Sequence, residues 1–374
     1  MLAKTFISRP DSFGEFIITL PLPIGLSFFT FQGISLVIDV YRGKYADSKS
    51  LVPESFITHA KRILFFKSFF PQLVSGPIVK AHDFLPQISN KRIKNVEWDS
   101  VAKTLIVGYF LKMVVADNLK DFTFWISYPY FQFLSSATLT TMLFGYSCQI
   151  FADFAGYSLI AIGLARLFGY QFKDNFNFPY VSTSFREFWK RWHISLSSFL
   201  MEYLYIPLGG NQKGKLRTYF NLMIVMLLGG LWHGAAWSYA VWGGVHGLAL
   251  AFERAVSTNP PKQSEYIILS ILKGVFVFTF VSFAWLLFKL PDFTQAAGFI
   301  RSMFSNYNLS DHVVNITHIL VYSIPVLLYH LHYVLDLRHY SLRYKPFEFI
   351  PYAAMLFLII SNSGSSGVFI YFQF

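Results

Sequence analysis

His233 stands in the stretch GGLWHGAA, inside a run from Thr218 to Phe252 that holds no Asp, Glu, Lys or Arg. A polar group inside a membrane-length apolar run is costly, so it raises a functional hypothesis by default. Imidazole is also the side chain best suited to take a proton near neutral pH. The small residues around it let helices or a ligand come close. The competing reading is a core histidine satisfied by one hydrogen bond. A second histidine, His193, lies in the basic, Trp-rich stretch FREFWKRWHISLS. Read as one helix, Arg186, Trp189, Lys190, His193 and Ser197 share a broad face. Six Lys/Arg against Glu187 and Glu202 lie between Arg186 and Arg217. That surface suits a phosphorylated, adenine-bearing donor such as acyl-coenzyme A, or else anionic lipid headgroups. His246 follows in the same uncharged run; thirteen residues of continuous helix would turn it about 220° from His233.

Other chemistry is sparse. No P-loop, GxSxG, HExxH or Rossmann GxGxxG motif occurs in the chain. His193, His233 and His246 have no carboxylate pair near them in sequence, so no metal site is expected. The single Cys148 permits no internal disulfide and reads as a small buried apolar residue. Asp153, in an apolar segment, is either the partner of a basic residue or part of a site. His330 and His332 fall on different helix faces and read as interfacial.

These residues must be held by membrane elements. The chain is 54% hydrophobic, 20% aromatic and 14% charged, with a net charge of +11. A soluble domain carries about 25% charged residues. Several apolar runs approach or exceed the ~20 residues that span a bilayer. The expected fold is all-α: a polytopic transmembrane helical bundle with re-entrant and interfacial helices, formed by residues 1–374 as a single domain. The basic residues sit in short loops between apolar runs, which fits membrane topology and excludes a nucleic-acid partner. Residues 13–40 form a first element broken by Pro21, Pro23, Gly25 and Gly33. Residues 56–80 read as amphipathic or re-entrant, 98–118 as helical and 120–170 as about two spans. Further spans are expected at 266–290 and 315–337, with an amphipathic interfacial helix in DFTQAAGFIRSMF between them and FEFIPYAAMLFLII closing the bundle.

Longer motifs narrow the reading. FREFWKRWHISLSSFLMEYLYIPLGG followed by NLMIVMLLGGLWHGAAWSYAVWGGVHG resembles the membrane-bound O-acyltransferase family, in its bacterial alginate O-acetyltransferase branch. LPIGLSFFTFQGISLVIDVYRG, FFPQLVSGPIV, NFNFPY and the terminal FIYFQF match the same branch. The likeness runs from about Leu20 onwards. Near Asp153 the branch pattern reads like DFSGYSDMA; here it is DFAGYSLIA, with Ala155 and Leu159 in place of a hydroxyl and a carboxylate.

The resemblance implies acyl transfer from a cytosolic thioester, acetyl-CoA or another acyl donor, towards a hydroxyl of an extracytoplasmic polysaccharide. It implies no bound cofactor, a multi-pass protein of the bacterial inner membrane, surrounding lipid, and a periplasmic acetyltransferase partner. By motif His233 is the catalytic base and His193 the second polar site residue. Arg186, Trp189, Lys190 and Arg191 would then help hold donor phosphates. D-Alanyl or acyl transfer to teichoic acid from a carrier-protein thioester is the alternative within the family. A transporter or non-catalytic scaffold is the alternative outside it. The resemblance further implies apolar helices ahead of LPIGLSFFTFQ.

Overall fold

The computed structural model describes residues 25–43, 55–73, 76–234, 236–256, 267–337, 347–365 and 367; the prolines at 21 and 23 and the FIYFQF segment lie outside them. The described residues contain helices and no strand. Helix α1 covers Leu26–Tyr41 and α2 Phe56–Ser68. Helix α3, Trp98–Tyr109, continues through a π-helical stretch, Phe110–Ala116, into α4, Asp117–Thr123. Helix α5, Ser136–Leu167, is 32 residues long and capped by the Ser135 hydroxyl, which accepts from the Thr138 N–H. Two short helices follow, α6 (Phe185–Arg191) and α7 (Ile194–Leu200). Helix α8 spans Gly214–Trp232, α9 Trp237–Val256, α10 Ile267–Lys289, α11 Phe293–Ser305, α12 Val313–Leu337 and α13 Phe349–Ser361.

Three of these, α5, α10 and α12, are long and apolar enough to cross a membrane. The all-α transmembrane bundle expected from the sequence is therefore the fold found. One element differs. Residues 120–170 hold one span rather than two, because Phe124–Ile126 and Tyr130–Phe133 are short 3-10 turns either side of Pro129. Proline lacks the N–H and obstructs the preceding turn, so a helix does not run through this stretch. Helix α11 is the amphipathic element expected. Asp292 caps it through the N–H groups of Thr294 and Gln295, and it buries Ala296, Phe299 and Met303 on one face.

Close helix packing depends on glycine. A Cβ on Gly156 of α5 would lie 2.9 Å from the Gly108 carbonyl oxygen on α3. Helices α8 and α9 form an antiparallel pair in the same manner. A Cβ on Gly230 would fall 2.1 Å from the Tyr239 oxygen, and one on Gly243 2.1 Å from the Met226 oxygen. Small residues here let two backbones touch where lipid gives no hydrophobic drive between helices.

Asp153 is an ion-pair partner. Lys112, at the π-helical stretch, places its Nζ 2.8 Å from Asp153 and 2.6 Å from Asp117, and all three are buried. Residues 362–365 and 367 cover this group. The Gly364 N–H donates to the Met113 carbonyl at 2.9 Å, and Lys120 donates to the Ser365 carbonyl at 2.8 Å.

Helices α6 and α7 form a re-entrant hairpin. The Ser184 hydroxyl caps α6 at the Glu187 N–H, and the Glu187 carboxylate accepts from the Thr183 N–H, a variant of the capping box. The hairpin starts level with the end of α9, where the Phe185 N–H meets the Glu253 carboxylate at 2.5 Å. It descends past His246, whose ring lies 6.2 Å from that of Phe188, to Trp192 beside Trp285 at 5.0 Å. It then returns through α7 and a π-helical turn, Met201–Tyr205, to the level where α8 begins. There the Tyr205 hydroxyl meets Asn211, and the Asn221 side chain donates to the Leu208 and Gly210 carbonyls.

Candidate active site

The turn of the hairpin carries His193. Trp192 is extended and His193 is left-handed, with φ 44° and ψ 54°. This break removes the single helical face expected across Arg186, Trp189, Lys190, His193 and Ser197. A left-handed backbone is disfavoured for a residue with a Cβ, and the bonds around it are what hold it. The Ile194 N–H donates to the Asn175 carbonyl at 2.9 Å. The Ser195 N–H donates to Asn175 Oδ1 at 3.1 Å, and the Ser195 hydroxyl to the same oxygen at 2.8 Å. His193 Nδ1 lies 3.2 Å from that oxygen. Ser195 Oγ also accepts from the Ile78 N–H at 2.9 Å, which ties the FFPQLVSGPIV motif to the hairpin turn.

His233 closes α8, one residue past its last helical position. Its N–H donates to the Gly230 carbonyl at 3.0 Å. His233 thus sits at the C-terminal end of the helix, the end whose dipole favours positive charge. Gly234 lets the chain pass Tyr239, since a Cβ there would meet the Tyr239 ring at 2.5 Å.

The two histidines share a neighbour. The Trp232 ring centroid is 6.0 Å from His193 and 5.0 Å from His233. Both imidazoles are buried and lie within electrostatic reach of each other. Phe154 closes on His193 at 4.6 Å, while Trp242 and Phe288 close on His233 at 5.3 and 5.1 Å. Phe31 stacks on Trp232 at 5.3 Å. The result is a pair of imidazoles in an aromatic enclosure, able to take and return a proton where little water competes.

His246 is not joined to His233 by continuous helix, because α8 ends at Trp232 and α9 begins at Trp237. It is instead separated from His233 by Trp242, whose ring lies 4.8 Å from His246. Phe188, Trp189 and Phe280 complete its enclosure, and neither ring nitrogen has a hydrogen-bond partner among the described residues.

The four basic and aromatic residues read as a donor surface separate from one another. Trp189 packs on Trp242 and His246. Arg186 and Lys190 are exposed cations. Arg191 is already engaged: it pairs with Glu187 at 2.9 Å and donates to the Tyr333 hydroxyl at 2.9 Å. His330 also differs from its interfacial reading. It is buried, stacks on Tyr180 at 5.3 Å and bonds the Val326 carbonyl through Nδ1 at 2.7 Å, whereas His332 is exposed.

Asn175, Ser195 and Trp232 are site residues that spacing did not find. Asn175 is the first residue of the NFNFPY motif, but the contact of its side chain with the hairpin turn is set by tertiary packing. A second polar group lies beside the hairpin. Asp39, His82 and Glu202 bring ligand-type atoms within 4.8 Å of one another. Those atoms are engaged, with Lys80 2.7 Å from Glu202, the Tyr203 hydroxyl 2.9 Å from Asp39, and His82 Nδ1 2.9 Å from Asp39. An ammonium already bound to one carboxylate disfavours a metal ion there.

The fold and site define a helical membrane protein that uses a re-entrant hairpin to bring one histidine to a second, buried one. The chain belongs to the membrane-bound O-acyltransferase family, whose model matches residues 48–290. It is 39% identical over 302 residues to a probable alginate O-acetylase of Pseudomonas putida, covering 79% of this chain and 58% of that protein. It is 36% identical over 303 residues to a peptidoglycan O-acetyltransferase of Helicobacter pylori, covering 76% of this chain and 57% of that protein. A teichoic acid D-alanyltransferase of Bacillus subtilis is 28% identical over 290 residues, covering 72% of this chain and 69% of that protein. The chain thus spans under three fifths of the first two relatives.

Proposed function

We propose that this protein is an acetyltransferase of the inner membrane, crossing it several times. It would carry an acetyl group from a cytosolic thioester, such as acetyl-CoA, towards a hydroxyl of an alginate-like or other cell-envelope polysaccharide, with a periplasmic acetyltransferase as partner. The observation that carries this reading is the meeting of His193 and His233 around Trp232. His233 takes the proton of the acceptor hydroxyl as its oxygen attacks the thioester carbonyl carbon. The C–S bond then breaks, and the departing thiolate recovers the proton from the imidazolium. His193 orients the reacting groups. The exposed Arg186 and Lys190 remain candidates for donor phosphates, with Trp189 beneath them, whereas Arg191 supports the hairpin.

Higher identity to the two polysaccharide-modifying relatives than to the D-alanyltransferase favours an acetyl group and a glycan acceptor. The test uses the purified chain in lipid with radiolabelled acetyl-CoA and an oligosaccharide acceptor. Release of free thiol and label on the acceptor are expected, both lost in His233→Ala. Thiol release equal in wild type and His233→Ala would overturn the reading.

A further inference from the structure

We infer that Asn175 is a positioning residue for His193, fixing its imidazole as the Nδ1–H tautomer with the lone pair on Nε2. The kinetic part of this inference rests on the acyl-transfer reading; the tautomer itself does not.

The argument begins with a donor whose identity is certain. A backbone N–H only donates, so the Ser195 N–H at 3.1 Å identifies the facing atom of Asn175 as the amide oxygen. The amide nitrogen then points the other way, where it donates to Ser158 Oγ at 3.1 Å. Asn175 is buried and anchored at both ends. Its oxygen can only accept.

Ser195 Oγ has two neighbours that its proton could serve: Asn175 Oδ1 at 2.8 Å and His193 Nδ1 at 3.4 Å. The first is an ordinary O–H···O distance and the second is long for a hydroxyl donor. The hydroxyl proton therefore goes to Asn175. His193 Nδ1 lies 3.2 Å from the same acceptor oxygen. A lone pair on Nδ1 would face the oxygen's lone pairs, whereas a proton on Nδ1 makes a hydrogen bond. The neutral ring thus carries its proton on Nδ1, and Nε2 is the acceptor. The bond a histidine makes at one nitrogen sets the chemistry of the other. Asn175 has the role here that an orienting third group has in a nucleophile–base pair.

The test is nuclear magnetic resonance of the full chain with 15N-labelled histidine in lipid nanodiscs. The His193 signals are identified by their loss in His193→Gln. Wild type should show the Nδ1–H pattern at neutral pH. Asn175→Asp retains acceptor oxygens for Ser195 and His193 and should keep that pattern. Asn175→Ala should lose it, with kcat lower on the order of 10²-fold and KM little changed, since the catalytic ring is misoriented. An Nε2–H pattern in wild type, or the wild-type pattern persisting in Asn175→Ala, overturns the proposal. If Asn175→Ala fails to accumulate, the wild-type and Asn175→Asp spectra decide, and an Nε2–H pattern in either one is fatal. Absence of acyl transfer in wild type would remove the kinetic readout and leave the spectroscopic one standing.

Discussion

The indole of Trp232 meets the imidazole of His233 nearly edge on, at 68° and 5.0 Å between centroids. Successive residues at the end of α8 thus build one wall of the site and place one of its two histidines. The same indole reaches His193 from the other chain segment, at 6.0 Å.

Removing the imidazoles should rank the three histidines. His233→Ala is expected to lower acceptor acetylation by ~10²–10⁴-fold, the usual cost of a lost general base. Membrane abundance should stay near normal. His193→Ala should impair turnover less, because positioning is partly retained by the aromatic enclosure. His246→Ala should be mildest, since Trp242 stands between it and His233. The measurement is product per extracted protein for each variant. Wild-type activity in His233→Ala, or disappearance of that variant from the membrane, would remove the case for catalysis by this residue.

Glycine substitutions on the α8–α9 pair should split by what they meet. Gly230→Ala drives a methyl to 2.1 Å from the Tyr239 carbonyl oxygen. Backbone cannot yield cheaply, so a loss of roughly 1–3 kcal/mol is expected. Gly244→Ala meets only Leu227 Cδ2 at 3.5 Å, an ordinary contact, and should be close to neutral. Thermal unfolding in detergent compares the two. Equal midpoints would show that the interhelical approach is looser than described.

The buried ion triad gives a third expectation. Lys112→Met leaves Asp117 and Asp153 buried without their shared cation, and breaking such a group costs about 3–5 kcal/mol. Lys112→Met combined with Asp117→Asn and Asp153→Asn should recover much of that loss, because no uncompensated charge remains. Yield of folded, detergent-extracted protein is the readout. A single variant as abundant as wild type contradicts the pairing.

Residues 211–217 should face the cytoplasm, since Lys213, Lys215 and Arg217 cluster at the start of α8, beside long apolar runs. Gln212→Cys is exposed, and Cys148 is buried and can be replaced by Ala. In intact cells the engineered thiol should resist membrane-impermeant maleimide and react after lysis. Prompt labelling from outside reverses the orientation and the side from which the donor arrives.

Much of the architecture was legible because it is written in runs. The apolar stretches became α5, α10 and α12, and DFTQAAGFIRSMF became α11, since periodicity and length are local properties. The two histidines stood out because they are polar in apolar or aromatic surroundings. What stayed hidden depends on single backbone angles and distant partners. The left-handed turn at His193 dissolves a face that Arg186 to Ser197 would share in a straight helix. Nothing in the composition of that stretch signals the break. Arg191 looked like a free cation until Tyr333, 142 residues away, was seen to hold it. Asn175 likewise acts on a residue 18 positions further on, which no short-range rule connects.

The hairpin of α6 and α7 also bears on how crossings are counted. It leaves and regains the same level, so it contributes nothing to the parity of the chain. A reporter fused near residue 184 and another near residue 211 should therefore sit in the same compartment, despite an intervening stretch that holds His193 at depth. Lengthening both arms equally would move that histidine along the membrane normal and leave every later helix with its orientation unchanged. Depth and sidedness are thus separately adjustable in this fold, and the depth of one of its two histidines is set by a segment that crosses nothing.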